Sequence, residues 1–258
     1  MRRAPWPVVA LATLGVLYLV VPLVALLQRA PWTDLAELLG RDVVTDALRL
    51  SVTTALLSTV LALVLGVPLA WVLARSTVRG RSLLRALVTL PMVLPPVVGG
   101  AALLFAFGRR GLLGAPIHDG TGFLLPYSMW GVVVANTFVA MPFLVVTVEA
   151  GLRAADARYE DAAATLGASR WLTFTKVTLP NAAPAIVAGA VLCWARALGE
   201  FGATVTFAGN LQGRTQTMPL AVFLALESDR DAAIALSLVL IAVSLAVLVP
   251  LRDRWLAA

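Results

Sequence analysis

One cysteine and one histidine stand in 258 residues, all but one of the twenty basic residues are arginine, and charged residues make up only 13% of the chain. Each scarcity removes a class of chemistry. Cys193 alone forms no disulfide within the chain, and with His118 as the single histidine there is no cluster of soft ligands for a metal. A phosphate-binding loop needs Gly-Lys-Ser/Thr, and the lone lysine, Lys176, lies between Thr175 and Val177. The chain therefore brings no ATP-hydrolysing loop of its own. No Ser-His-Asp or paired-carboxylate arrangement points to catalysis either, and Asp229 and Asp231 read as solvated loop residues.

What is abundant is apolar side chain, 60% of the residues, which makes the bilayer the expected solvent. Apolar runs lie near 6–27, 50–74, 86–107, 127–148, 182–208 and 232–251, each long enough to cross a hydrocarbon core of roughly 30 Å as a helix. The first follows Arg2 and Arg3 but lacks a small-x-small cleavage site, so it is expected to stay as a helix. The expected architecture is an all-α integral membrane domain over 1–258, six helices joined by short loops, with no visible internal repeat. The arginines sit at the ends of the runs, which reads as topology rather than nucleic-acid binding. Arg2, Arg3, Arg75, Arg79, Arg81, Arg85, Arg153, Arg158, Arg170, Lys176, Arg252 and Arg254 fall on one side, and Arg29, Arg41, Arg49, Arg109, Arg110, Arg214 and Arg230 on the other. Twelve against seven places both termini and the stretch 149–180 in the cytoplasm.

That stretch is the most polar interior segment. Tyr159, Glu160, Asp161 and the alanines Ala162, Ala163 and Ala164 make a short helix with acids in its first turn, where they complement the helix dipole. Gly167 can end it in a left-handed conformation, and Val177-Thr178-Leu179-Pro180 reads as a stop before the fifth run. Small side chains admit a partner's backbone, and the two carboxylates suit partner arginines. The acid, the two alanines, the glycine and the closing Leu-Pro resemble the EAA loop of bacterial ABC-importer permeases, the cytoplasmic contact with an ATPase subunit. Counted back from Gly167, the family's glutamate falls on Asp161, with Glu160 just before it, so either carboxylate is a candidate for that contact.

The fifth run carries Arg196-Ala-Leu-Gly-Glu200-Phe201-Gly202-Ala-Thr. Charges in mid-membrane cost about 2.5–3.5 kcal/mol each on insertion scales, so Arg196 and Glu200 are expected to face protein or water. Counted from Ala182 at 1.5 Å per residue they lie roughly 21 and 27 Å along the helix, in its outer half, with i, i+4 spacing. A structural ion pair and a lining of the transport path both fit. Beyond lies an outer loop whose Arg214, Thr215, Gln216 and Thr217 are rich in the donors a desolvated oxyanion needs. The third run opens Leu90-Pro-Met-Val-Leu-Pro-Pro96, a poor recipe for a regular helix.

Together, Ala-Leu-Gly-Glu-Phe-Gly-Ala-Thr, Ala-Gly-Asn and Gly-Arg-Thr-Gln-Thr-Met-Pro-Leu-Ala resemble the permease subunit of molybdate importers, which also carry tungstate. The resemblance implies a type I ABC importer permease fold in a bacterial inner membrane, working as a homodimer. It also implies two ATP-binding-cassette subunits on the cytoplasmic loops, using ATP and Mg, and an external oxyanion-binding protein. The chain itself is then no enzyme and binds no cofactor. A sulfate or thiosulfate permease shares the Gly-Glu-aromatic-Gly portion and is the nearest alternative. An ion-coupled secondary carrier would instead be expected to show inverted repeats.

Overall fold

A computed structural model describes residues 5–255; Arg2 and Arg3, counted above for topology, lie outside them. The chain is helical throughout, in the order α1 (Trp6–Gln28), α2 (Leu35–Leu39), α3 (Asp42–Arg75), α4 (Arg81–Val93), α5 (Pro96–Phe107), α6 (Gly114–Thr121) and α7 (Met129–Ala154). There follow α8 (Arg158–Thr165), α9 (Arg170–Thr173), a π turn (Phe174–Thr178), α10 (Leu179–Leu198), α11 (Gly202–Phe207), α12 (Met218–Ser228) and α13 (Arg230–Trp255). Among the described residues five helical runs are long and apolar enough to span a membrane, or six where the bent pair α4–α5 is counted as one span.

The core is α3, α7 and α10, wrapped on each other through small residues. Ala55, Ala62, Ala70 and Ala140 are fully buried there beside Leu144, Val145 and Val148. At Gly66 a methyl group would come within 2.9 Å of the Leu144 side chain and 3.1 Å of Val145, so α3 and α7 cross closely at that point. Membrane helices associate by such close van der Waals approach, since lipid is as apolar as leucine. At the other extreme, α1 buries none of its residues.

Five sequence expectations change in the structure. The run 86–107 is two helices meeting at 116°, not one continuous helix. The cause is local: Leu94 and Pro95 each precede a proline and are held extended, at ψ 135° and 130°, and Pro96 then starts α5 as its first residue. The run 182–208 also breaks, because α10 ends at Leu198 and the chain turns through Gly199-Glu200-Phe201 before α11. The Arg196–Glu200 spacing is therefore not a continuous helix face, and axial distances counted to Glu200 do not apply.

The polar stretch 149–180 is shorter than expected at both ends. Glu149 to Ala154 belong to α7, and Leu179-Pro180 is no stop: helix runs on from Arg170 through the π turn into α10. Pro180 lacks an N–H and its ring crowds the carbonyl four residues back, and the wider turn just ahead of it accommodates both. Finally, the loop after 208 contains an apolar eleven-residue helix, α12. Asp229, which closes it, is not simply solvated. It accepts from the Ala232 N–H at 3.0 Å and pairs with Arg41 at 3.1 Å, and these hold its carboxyl below the ordinary carboxylate range.

Candidate functional site: two broken helices and an exposed short helix

The two breaks in the bundle touch. α5 packs along α11, with Gly100 against Ala203 and Thr206, and Gly202 against Pro96 at the bend. A Cβ on Gly202 would stand 2.6 Å from Pro96 Cβ, so contact between the two broken spans depends on a missing side chain. Irregular backbone at membrane depth is tolerated where protein buries it or where it lines a cavity, and this pairing supplies the first condition.

Glu200 organises the second break. Its side chain is 1% exposed; Oε2 lies 2.6 Å from Arg196 Nη2, and Oε1 accepts the Ala203 N–H at 2.8 Å. One carboxylate thus neutralises the arginine at the end of α10 and satisfies an otherwise unpaired donor at the start of α11. Arg196 keeps 29% of its side chain exposed. Thr204 on α11 donates to Asn136 Oδ1 on α7 at 3.2 Å, both side chains buried, which ties the broken segment to the core. Phe201 lies 5.1 Å, centroid to centroid, from Phe223 of α12 and lines an open apolar groove with Pro219 and Leu240. Asn136 escaped sequence reasoning altogether, and a lone amide inside an apolar run was the signal for it.

The donor-rich segment after α11 does not form one cluster. Arg214 is exposed while Thr215, Gln216 and Thr217 are buried. The N–H groups of Arg214, Thr215 and Gln216 all donate to the Leu211 carbonyl, and the Thr215 hydroxyl accepts from the Leu211 N–H at 3.0 Å. These backbone N–H groups close the turn. The adjacent Met218 N–H donates to Ser51 Oγ at 2.7 Å, pinning the start of α12 to α3. In this segment two buried polar atoms, Asn210 Oδ1 and Thr217 Oγ1, have no hydrogen-bond partner among the described residues.

At the other site, α8 buries none of its residues. Gly167 has φ +84°, and the Gly167 and Ala168 N–H groups donate to the Ala164 and Ala163 carbonyls, both at 3.0 Å. This is the Schellman closure, which requires the left-handed residue that glycine provides. The two acids of the first turn differ in kind. Glu160 accepts from Arg75 Nε at 3.3 Å, whose Nη2 also donates to the Ala155 carbonyl, so this carboxylate braces α8 to the end of α3. Asp161 is exposed and makes no ion pair among the described residues.

Tyr159, Leu166 and Trp171 are 63, 87 and 73% exposed, an apolar surface around a helix that itself carries charge. Ala162 and Ala163 lie within it, exposed and half-buried. A polar recess of about 610 Å³ opens beside α8, lined among others by Trp71, Arg75, Asp161 and Phe174. Leu179 is half-buried and Pro180 exposed, one helical run away from α8.

Comparison with known proteins agrees with this geometry. The molybdenum transport system permease protein ModB of Mycobacterium tuberculosis is 49% identical over 243 residues, 94% of this chain and 92% of that protein. Its namesake in Escherichia coli K12 is 40% identical over 82% of this chain and 93% of its own length. The sulfate transport system permease protein CysT of Escherichia coli K12 is 38% identical over 90% and 85%. The fold is also that of a chain in a bacterial alginate ABC transporter solved in complex with an alginate-bound periplasmic protein, at a TM-score of 0.75 and 18% identity, covering 95% of this chain and 92% of that one. Residues 62–258 match the family described as "Binding-protein-dependent transport system inner membrane component". With more than half its length inside that match and six candidate spans in that fold, the chain belongs to the family of binding-protein-dependent transport system inner membrane components.

Proposed function

We propose that the chain is the membrane-spanning subunit of an ATP-driven importer of molybdate, with tungstate, alike in charge and shape, as an equivalent substrate. The observation that carries the substrate is the 49% identity to a molybdenum permease over nearly the whole chain, against 38% to a sulfate permease. In this reading two copies form a path between them, an external binding protein delivers the oxyanion, and both termini are cytoplasmic. Two ATPase subunits, which bind ATP and Mg, dock on the α8 helices.

The exposed Tyr159, Leu166 and Trp171 around α8 support that docking, as do the small side chains of Ala162 and Ala163. The arrangement of the two acids supports a division of labour. Glu160 is already held by Arg75, and Asp161 is left to meet a cation on the ATPase. Arg196, Glu200, Phe201 and Gly202 form the hinge of a path-lining segment, with Arg214 at its outer mouth and Thr215, Gln216 and Thr217 shaping the turn behind it.

Competition tests the substrate. In proteoliposomes holding this chain with its ATPase and binding protein, excess tungstate is expected to abolish uptake of labelled molybdate and excess sulfate to leave it unchanged. Inhibition by sulfate would move the chain to the sulfate branch.

A further inference from the structure

Beneath α8 lies a charged cluster that neither docking nor the path uses. Glu149 on α7 is 6% exposed. It accepts from Arg153 of its own helix, Nε at 2.9 Å and Nη2 at 2.8 Å, and from both Nε and Nη2 of Arg85 on α4, the former at 3.4 Å. Arg153 Nη2 also donates to the Leu73 carbonyl at 3.2 Å, near the end of α3. Two residues on, Arg75 holds Glu160 of α8 and the Ala155 carbonyl of the α7–α8 connection. Charge-assisted contacts thus run from α8 to Arg75 at the end of α3 and, two residues back along the α3 backbone, from Leu73 through Arg153 to Glu149 and on to α4. Past the 116° bend, α4 continues as α5, which packs on α11 and its Glu200 break.

Resting on the reading of α8 as the ATPase contact, we propose that Glu149 is a positioning residue. It is the junction through which displacement of α8 is passed to α4, and so to the α5–α11 pair. Three features support this over a merely neutralised buried charge. Arg153 alone already supplies two hydrogen bonds to the carboxylate, so charge balance does not require Arg85. Arg85 reaches it from an element 64 residues away in sequence. That element is the one helix of the cluster joined directly to a broken span. A short ionic contact between packed helices has two discrete arrangements, made or broken, which is what a transmitting element requires.

Arg85→Ala isolates the link. Arg85 is 42% exposed at its side chain and Glu149 keeps Arg153, so the carboxylate is not orphaned. In the reconstituted complex, ATP hydrolysis is expected to persist while molybdate imported per ATP falls about fivefold, and Arg85→Lys, which restores one cation, is expected to recover most of the loss. An Arg85→Ala complex with the unmodified ratio would overturn the proposal. So would a parallel fall of hydrolysis and uptake. The unmodified complex is measured alongside, and its failure to import molybdate would overturn the function proposed above instead.

Discussion

Glu200→Ala is expected to remove at least nine-tenths of transport, about tenfold, and to lower the thermal stability of the purified protein. The substitution does two things at once. It leaves the Arg196 guanidinium, 2.6 Å from the lost carboxylate, without a counter-charge, a change that costs about 3–5 kcal/mol where the remaining charge is fully buried and less here, with the arginine 29% exposed. It also leaves the Ala203 N–H at the start of α11 without its acceptor, adding about 1–3 kcal/mol. Against a typical net stability of about 5–15 kcal/mol this is a large fraction. Glu200→Gln separates the two effects, because its amide oxygen can still accept from Ala203 while the charge is gone. Thermal denaturation and uptake measured together on both variants check this: the glutamine variant recovers more of the stability than of the transport. Full uptake by the glutamine variant would leave Glu200 a structural brace and remove it from the path.

The second large effect belongs to the opposite end of the molecule. Gly167→Pro cannot hold the observed φ of +84°, since proline is fixed near −65°, and it also deletes the N–H that donates to Ala164. The Schellman closure of α8 is lost, and with it the angle at which the helix is presented. Because α8 buries none of its residues and its ion pair to the bundle, Glu160 with Arg75, is in its first turn, the membrane bundle does not rest on that closure. The amount of protein in the membrane is therefore expected to stay near normal while ATPase co-purification and ATP-coupled uptake fall by more than about tenfold, the equivalent of about 1.4 kcal/mol. Gly167→Ala, which can enter the left-handed region at about 1–2 kcal/mol, should show a smaller loss of the same kind. Unchanged uptake by the proline variant would argue that α8 does not couple to an ATPase.

These two sites were not equally legible in the sequence. α8 and its Gly167 cap could be read because every signal was local: acids in a first turn, three alanines, then a glycine in place. The six apolar runs were legible for a similar reason, as hydropathy depends on composition over some twenty residues. The same measure carries no direction, so the 116° turn at Leu94-Pro95 and the break at Gly199-Glu200-Phe201 were hidden inside runs that score as single spans. Pro95-Pro96 did announce an irregularity, yet nothing local says that α5 will lie against α11, which depends on Gly100 and Gly202 meeting residues about a hundred positions away.

Glu149 was misplaced for a related reason. It stands where apolar sequence gives way to polar, and a charge at such an edge reads as the start of a loop. Only the fold brings Arg85 to it and extends α7 five residues further, to Ala154. Asn136, in the middle of α7, and Thr204, just before the close of the fifth run, gave no sign of being partners. The Arg214–Thr217 segment looked like one row of donors because side-chain chemistry was visible, while the turn on the Leu211 carbonyl that leaves Arg214 exposed and buries Thr215, Gln216 and Thr217 was not.

The most direct test of the central claim is uptake of labelled molybdate by proteoliposomes carrying this chain, its ATPase partner and its binding protein, with and without enclosed ATP, and with ion gradients collapsed by ionophores. Accumulation that requires ATP and survives the loss of every ion gradient is the expected result. Accumulation that ignores ATP and disappears with an ion gradient would contradict an ATP-driven importer and make the chain a secondary carrier.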